Sequence, residues 1–275
     1  MSETAPSVDA GAARRLTLPS WRSIGDLAIQ WAVILALAAL WQGVSSAKLV
    51  NPFLLPPLSE VLQRLWGDLL GGTAVFDLAK TLYRALAGFG LAAASAIPIG
   101  VVMSRSRSLR WFVDPLISIG FPMPKIAFLP IFILWFGIYD SSKIIMIAFS
   151  AFFPIVAATV AGTSSVDRWP LWSARALGAS ERDLLWEIIL PAASPQILTG
   201  LQIALPVALI TTIVTEMMMG GSGVGGSMIT AGRFADSVGV FAGVIEISAL
   251  GFLVIYALQR IRGRLLAWHP EAAHR

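Results

Sequence analysis

The hydrophobic positions of this 275-residue chain fall into long apolar runs separated by shorter polar segments. An α-helix needs about 20 apolar residues to cross the hydrocarbon core of a bilayer. The runs close to or above that length are Leu27–Val44, Ala85–Met103, Ile144–Gly162, Ile197–Met219 and Val238–Ala257. A shorter run, Ile126–Tyr139, becomes long enough only if its proline-rich lead-in, Pro115–Pro124, is partly buried. The pattern therefore predicts an all-α membrane protein with six transmembrane helices.

Composition excludes several functional classes. The chain is 56% hydrophobic and 13% charged, with a mean hydropathy of +0.76, which excludes an ordinary soluble globular domain. It contains no cysteine, so a disulfide framework, a thiolate metal site and a thiol nucleophile are all excluded. Its two histidines, His269 and His274, lie in the polar C-terminal tail, where we expect them to be solvated. We therefore predict no catalytic site, no metal site and no cofactor.

The distribution of lysine and arginine predicts the orientation in the membrane. Positive side chains accumulate in cytoplasmic loops. With six crossings and a cytoplasmic N-terminus, 14 of the 20 basic residues fall inside. The six on the opposite side are Lys48, Arg64, Lys80, Arg84, Lys143 and Arg233. We therefore expect both termini to be cytoplasmic, and the pI near 9.8 needs no nucleic-acid partner.

A polar segment between the fourth and fifth runs has the pattern of two short helices joined by a turn. Val166–Leu177 is amphipathic, and Gly178 permits the left-handed turn that ends a helix. Ser180 followed by Asp183 is an N-cap pattern for a second helix, which we expect to begin at Glu181 and reach Leu190. Pro191 should end it, because proline lacks a backbone donor.

The same segment resembles the signature of permeases from binding-protein-dependent ABC importers. That signature is E-A-A-x-x-x-G, then nine residues, then I-x-L-P. The positions that match it here are Ala174, Gly178, Ile188, Leu190 and Pro191. Trp172 and Ser173 stand where the family has glutamate and alanine, so the segment departs from the pattern at its start.

The resemblance extends over roughly Asn51 to Trp268 and is similar to the branch that imports sulfonates, taurine and nitrate. Further matching segments are Leu86–Phe89, Ile97–Gly100, Asp114-Pro115, Pro122–Pro124, Leu134–Gly137, Phe152–Ile155 and Glu216–Gly225. The resemblance implies a transmembrane permease domain over 24–268, between cytoplasmic tails at 1–23 and 269–275. Within it, 166–191 is implied to be a cytoplasmic coupling loop.

The resemblance also implies a function and a set of partners. It implies a type I ABC importer permease fold in the bacterial inner membrane. The implied partners are a pair of ATP-binding subunits, a second permease copy (a homodimer) and an extracytoplasmic solute-binding protein. The chain itself is then not an enzyme, and its solute is expected to be an aliphatic sulfonate, taurine or nitrate, with a thiamine-precursor pyrimidine as the alternative. An ion-gradient-driven secondary transporter or a channel subunit is the alternative from another class.

Two carboxylates and one glycine motif complete the candidate residues. Glu216 is expected at the outer end of the fifth span, within reach of water. Glu246 falls about two turns into the sixth span, where it either lines a translocation path or pairs with a polar group on another helix; we favour the pairing. Gly221–Gly226 fits G-x-G-x-x-G but follows a membrane run rather than a strand, so we expect a flexible outer loop.

Overall fold

The computed structural model describes residues 21–268, so most of the predicted N-terminal tail and all of the C-terminal one, with His269 and His274, lie outside the described residues. These residues form two compact units divided after Ser59. Every regular element among them is helical. The helices are α1 (Trp21–Ser46), α2 (Leu58–Leu70), α3 (Thr73–Arg105), α4 (Arg107–Gly120), α5 (Leu129–Phe136), α6 (Asp140–Ser164), α7 (Arg168–Ala176), α8 (Glu181–Asp183), α9 (Leu190–Met219), α10 (Val224–Arg233) and α11 (Ser237–Leu265).

Within residues 21–268, four helical stretches are long and apolar enough to cross a membrane. They are α3, α6, α11 and the continuous stretch Glu181–Met219. A fifth crossing is present if α4 and the stretch Lys125–Phe136 count as one span, although the two are bent by 99°. The remaining predicted crossing, which is the first along the chain, falls in α1, whose Trp31–Ser46 part is a shorter apolar helix. The all-helical membrane fold expected from the sequence is confirmed.

The bend in the third predicted span has a simple backbone cause. Its proline-rich lead-in, which we expected to be partly buried, forms α4 up to Gly120. The chain then turns through Phe121–Pro124, where two prolines each remove a backbone donor. A 3₁₀ turn, Lys125–Phe128, leads into α5. The Lys125 ammonium donates to the Phe121 carbonyl at 2.8 Å, so a positive charge meets the C-terminal carbonyls of α4.

α6 is the central helix of the second unit, and small residues let its neighbours approach closely. α3 and α9 both pack along it. A Cβ built at Gly88 or Gly100 of α3 would lie only 2.6 Å and 2.7 Å from Ile147 and Thr159 of α6. A Cβ at Gly200 of α9 would lie 2.4 Å from Ala158. Close backbone approach of this kind is the main source of helix association in lipid. It makes α3, α6 and α9 a tightly packed core.

Candidate functional site

The segment 166–191, which we call the 166–191 loop, begins with the predicted short helix. α7 is capped by Asp167, whose side chain accepts a hydrogen bond from the Trp169 amide at 3.3 Å. The chain then turns at Gly178, which has a φ of +89°. No atom lies within 4 Å of a Cβ built at Gly178, so backbone conformation alone requires glycine there. The predicted left-handed turn is confirmed.

The second helix of the loop begins with a capping box. The Ser180 hydroxyl accepts from the Asp183 amide at 3.3 Å, and the Ser180 amide donates to the Asp183 carboxylate at 2.8 Å. Two backbone donors that a helix start would leave unpaired are thereby satisfied. The predicted N-cap at Ser180 is confirmed.

The predicted end of this helix at Pro191 is wrong. The chain continues from α8 through a π-helical stretch, Leu184–Ile189, directly into α9. The Leu190 amide donates to the Leu185 carbonyl five residues back, which is the π pattern. Pro191 lies just after this π stretch, and the helix continues through it into α9. The 166–191 loop is therefore joined to a membrane-spanning helix by an unbroken helical backbone.

The signature residues divide into an exposed group and a half-buried group. Trp172 and Ser173 are exposed on α7, and the Trp172 ring packs edge-on against Trp169 with ring centroids 5.3 Å apart. Leu177 and Trp186 are large apolar side chains that are also exposed. Among the other signature positions, Ala174 of α7 is half-buried, as are Ile188 and Leu190 near the start of α9, and Pro191 is exposed. The loop thus presents aromatic and apolar groups outward, which is typical of a surface that contacts another protein.

Ion pairs connect the 166–191 loop to the C-terminal end of α3. Glu181 contacts Arg175 of α7 at 2.9 Å and also pairs with Arg105 of α3. Both pairs are partly exposed, so screening by solvent makes their contribution to stability small. These two ion pairs set the position of α8, because they hold it against both α7 and the C-terminal end of α3. The sequence did not predict the link to α3, since Arg105 and Glu181 are 76 residues apart in the chain.

A second cluster of polar residues lies at the opposite end of α9 and is deeply buried. Glu216 is fully buried, and its carboxylate contacts the Arg84 guanidinium at 2.6 Å. It also accepts from the Thr81 hydroxyl at 2.9 Å and from the Gly225 amide at 3.1 Å. The expectation that Glu216 lies within reach of water is wrong. Burial of the Glu216 carboxylate is favourable because the Arg84 guanidinium and two further hydrogen-bond donors replace the water that would surround it.

Arg84 extends this network to two more segments. Its guanidinium contacts Asp140 at the start of α6 at 2.7 Å. It also donates to the Ser222 carbonyl at 2.6 Å and to the Ser222 hydroxyl at 3.0 Å. A guanidinium has five N–H donors in a fixed plane, so one side chain can hold several partners together. Arg84 therefore joins α3, α6, α9 and the turn that precedes α10.

The glycine motif is a firmly held turn rather than the flexible loop that we expected. Gly220, Gly221 and Gly223 have positive φ angles, and α10 begins immediately afterwards at Val224. The Gly223 amide donates to Asp77 at 2.8 Å. A Cβ built at Gly226 would lie 2.0 Å from the Gly221 carbonyl oxygen, so the turn closes on itself with no room for a side chain. The glycines serve backbone packing against the buried network.

Glu246 has different surroundings from Glu216. Only 8% of its surface is exposed, yet no hydrogen bond or ion pair joins it to another side chain within residues 21–268. The pairing that we favoured for it is not found. It lines a cavity of about 230 Å³ between α2, α3, α10 and α11. In the part of the chain that the structure describes, no group of three histidine, aspartate or glutamate side chains could hold a metal ion.

A family comparison covers most of the chain. Residues 88–266 match the family described as "Binding-protein-dependent transport system inner membrane component". This range contains the whole 166–191 loop and Glu216. It begins just after Arg84.

Two curated relatives are similar along nearly their whole length. The taurine transport system permease protein TauC of Escherichia coli is 35% identical over 94% of this chain and 92% of its own. The putative aliphatic sulfonates transport permease protein SsuC of Bacillus subtilis is 33% identical over 84% of each chain. Both are described as permeases.

A solved structure supports the fold independently. The chain is similar to a chain of the inward-facing methionine ABC transporter MetNI, with a TM-score of 0.62. The similarity covers 70% of this chain and 95% of that one, at 18% identity. The type I importer fold expected from the sequence is therefore confirmed. Taken with the family match, the apolar helices and the relatives, this shows that the chain belongs to the family of inner-membrane components of binding-protein-dependent transport systems and is the permease subunit of an ABC importer.

Proposed function

We propose that the 166–191 loop is the element through which a partner ATPase drives this permease. The observation that carries the proposal is the exposed apolar surface formed by Trp169, Trp172 and Leu177 on a loop whose backbone is fixed by caps and a glycine turn. Large exposed apolar side chains on a rigid segment favour docking into a groove of another protein. The two ATP-binding subunits of the importer supply such grooves.

The connection of the loop to the membrane helices supports a mechanical role. The π-helical stretch makes α8 and α9 one continuous element, so a displacement of α8 is passed to α9 without a flexible joint. Glu181 carries the same displacement to α3 through Arg105. Closure of the ATPase pair then moves both α3 and α9, and the pore between two permease copies alternates between inward and outward access. We propose a homodimer, since one chain supplies one such loop.

For the solute, we propose a small sulfonate, with taurine as the first candidate. The support is the identity of 35% and 33% to permeases described for taurine and aliphatic sulfonates. An extracytoplasmic solute-binding protein delivers the solute, in keeping with the family description. Nitrate and a thiamine-precursor pyrimidine are the competing solutes.

Reconstituted uptake tests the function directly. The permease, with the ATPase subunits that co-purify with it, is placed in liposomes with its binding protein outside. We expect accumulation of labelled taurine that requires internal ATP and persists when ionophores remove the ion gradients. Accumulation that ionophores abolish and ATP does not restore would favour the ion-gradient-driven alternative. Uptake of a labelled pyrimidine or of nitrate, without uptake of taurine, would reassign the solute.

Labelling of introduced cysteines tests the orientation, because the natural chain contains none. Ala176 in the 166–191 loop and Arg233 at the end of α10 are both exposed. We expect Ala176→Cys to react with a membrane-impermeant thiol reagent only from the cytoplasmic side and Arg233→Cys only from outside. The cysteine-free parent is the control. Reaction of both from one side would contradict the proposed topology.

A further inference from the structure

The cavity beside Glu246 combines three acidic side chains with a single basic one. Its charged lining residues are Arg64, Asp68, Asp77 and Glu246. The volume of about 230 Å³ is well above the roughly 30 Å³ that one water occupies in the liquid, so the cavity has room for a small solvated group.

Three of these four charged groups are already engaged. Arg64 donates to Asp68 at 2.7 Å and to Asp236 at 3.1 Å. Asp77 accepts from the Gly223 amide at 2.8 Å and from the Ser227 hydroxyl. Among residues 21–268, the one basic side chain in the lining is therefore already paired with two carboxylates, which leaves no unpaired cation there for an anion.

Glu246 is the exception, and it supplies the independent observation that points to a ligand. It is more than nine-tenths buried and has no hydrogen-bond or ion-pair partner within residues 21–268. Ionisable side chains inside a membrane helix are costly and usually pair with something. The carboxylates of Asp68 and Asp77 in the same lining add further negative charge. The cavity therefore lacks a positive group that pairs with Glu246.

We infer that this cavity binds a small primary ammonium group, with Glu246 as its counter-ion. An ammonium has three donors and no acceptor, so it matches a cavity whose free group is a carboxylate. The attraction is strengthened because a buried charge pair is screened less than a pair in water. Arg64 already pairs with two carboxylates, so it offers a sulfonate no unpaired cation.

One consequence rests on the proposed function. If the solutes are sulfonates, this cavity distinguishes an amino sulfonate such as taurine from an alkanesulfonate without nitrogen. Both compounds carry the sulfonate, and only the amino sulfonate carries the ammonium group that would pair with Glu246.

The binding test uses the full-length chain in lipid nanodiscs, purified with whatever ATPase accompanies it. Labelled ethylammonium is the probe, and ethanesulfonate is the matched anion. We expect saturable ethylammonium binding that taurine displaces and ethanesulfonate does not. Glu246→Gln should weaken the affinity by at least about tenfold, whereas Glu246→Asp keeps the charge and should retain part of it. Glu60→Gln, which alters an exposed carboxylate on α2, should leave binding unchanged.

A second measurement needs no variant and covers the case in which Glu246→Gln fails to fold. A hydrophobic carbodiimide modifies membrane-embedded carboxylates, and mass spectrometry gives the rate at Glu246. Ethylammonium should slow this modification, and ethanesulfonate should not. Equal ethylammonium binding by the parent and Glu246→Gln, no saturable binding by the parent, or no protection would each overturn the inference. None of these readouts requires transport, so a failure of sulfonate uptake would be recognised separately.

Discussion

Replacing Glu216 with alanine is expected to lower the free energy of unfolding by about 3–5 kcal/mol, the usual cost of removing one partner of a buried ion pair. The variant leaves the Arg84 guanidinium, which is 3% exposed, with Asp140 as its remaining anionic contact within residues 21–268. It also removes acceptors from Thr81 and the Gly225 amide. The unfolding temperature of the purified chain and its abundance in the membrane measure the effect.

A matched control and a double variant make the Glu216 experiment specific. Glu187→Ala removes an exposed carboxylate from the same continuous helix and should change stability by no more than about 0.5 kcal/mol. Changing Arg84 and Glu216 together to methionine should cost less than the two single changes added, because no buried charge is left unpaired, and Asp140 is partly exposed and keeps Lys80 at 3.9 Å. An unfolding temperature for Glu216→Ala equal to that of the parent would mean that the pair does not stabilise the fold.

The elements that sequence predicted well are those that local backbone chemistry determines. Gly178 needs a positive φ because a helix must end there, and Ser180 with Asp183 forms a cap from residues three apart. The long apolar runs predicted the membrane helices for the same reason, since a helix satisfies its own backbone donors and acceptors in lipid. None of these features depends on a distant partner.

The features that sequence missed depend on such partners. Arg84 and Glu216 are 132 residues apart. From the sequence, each is interpreted separately as a charged residue at the end of a span, within reach of water. A usable signal existed, because Thr81, Arg84 and Gly88 lie on the narrow, small-residue face of α3 that packs inward. A charged side chain on that buried face, such as Arg84, needs an oppositely charged partner on a neighbouring helix. Glu246 shows the converse, since the pairing that we favoured for it is not found within residues 21–268.

Pro191 shows how a sound local rule fails at a junction. Proline ends a helix when its missing donor would break an i→i−4 bond. Here a π-helical stretch precedes it, and the hydrogen-bond register shifts by one residue before proline is reached. Such insertions occur frequently at functional sites, and nothing in the local composition of Leu184–Ile189 distinguishes this one from an ordinary α-helix. The π-helical stretch lies where the 166–191 loop joins α9, which agrees with the proposed transmission of movement from the loop to that helix.

Replacing Gly178 with valine is expected to abolish most uptake while leaving membrane abundance nearly normal. The φ of +89° is strained for any residue with a Cβ, and a β-branched one is the worst case. The strain of about 1–3 kcal/mol is relieved if the turn rotates α7, because no neighbouring atom lies within 4 Å of the new Cβ to resist it. Trp172 then leaves its position on the docking surface. Labelled solute uptake and the amount of co-purified ATPase, each normalised to permease in the membrane, measure the loss.

The chain offers a matched control for this strain at Gly72. That residue has a φ of +80°, also with no atom within 4 Å of a Cβ, but it lies in the turn between α2 and α3, away from the 166–191 loop. Gly72→Val should therefore cost similar stability yet leave ATPase co-purification unchanged. Trp172→Ala should reduce uptake less than Gly178→Val, since it removes apolar contact area but keeps the backbone. Ser173→Ala, which moves toward the family signature, should have almost no effect. Normal uptake by Gly178→Val, or equal loss of ATPase by Gly72→Val, would contradict the assignment of coupling to this loop.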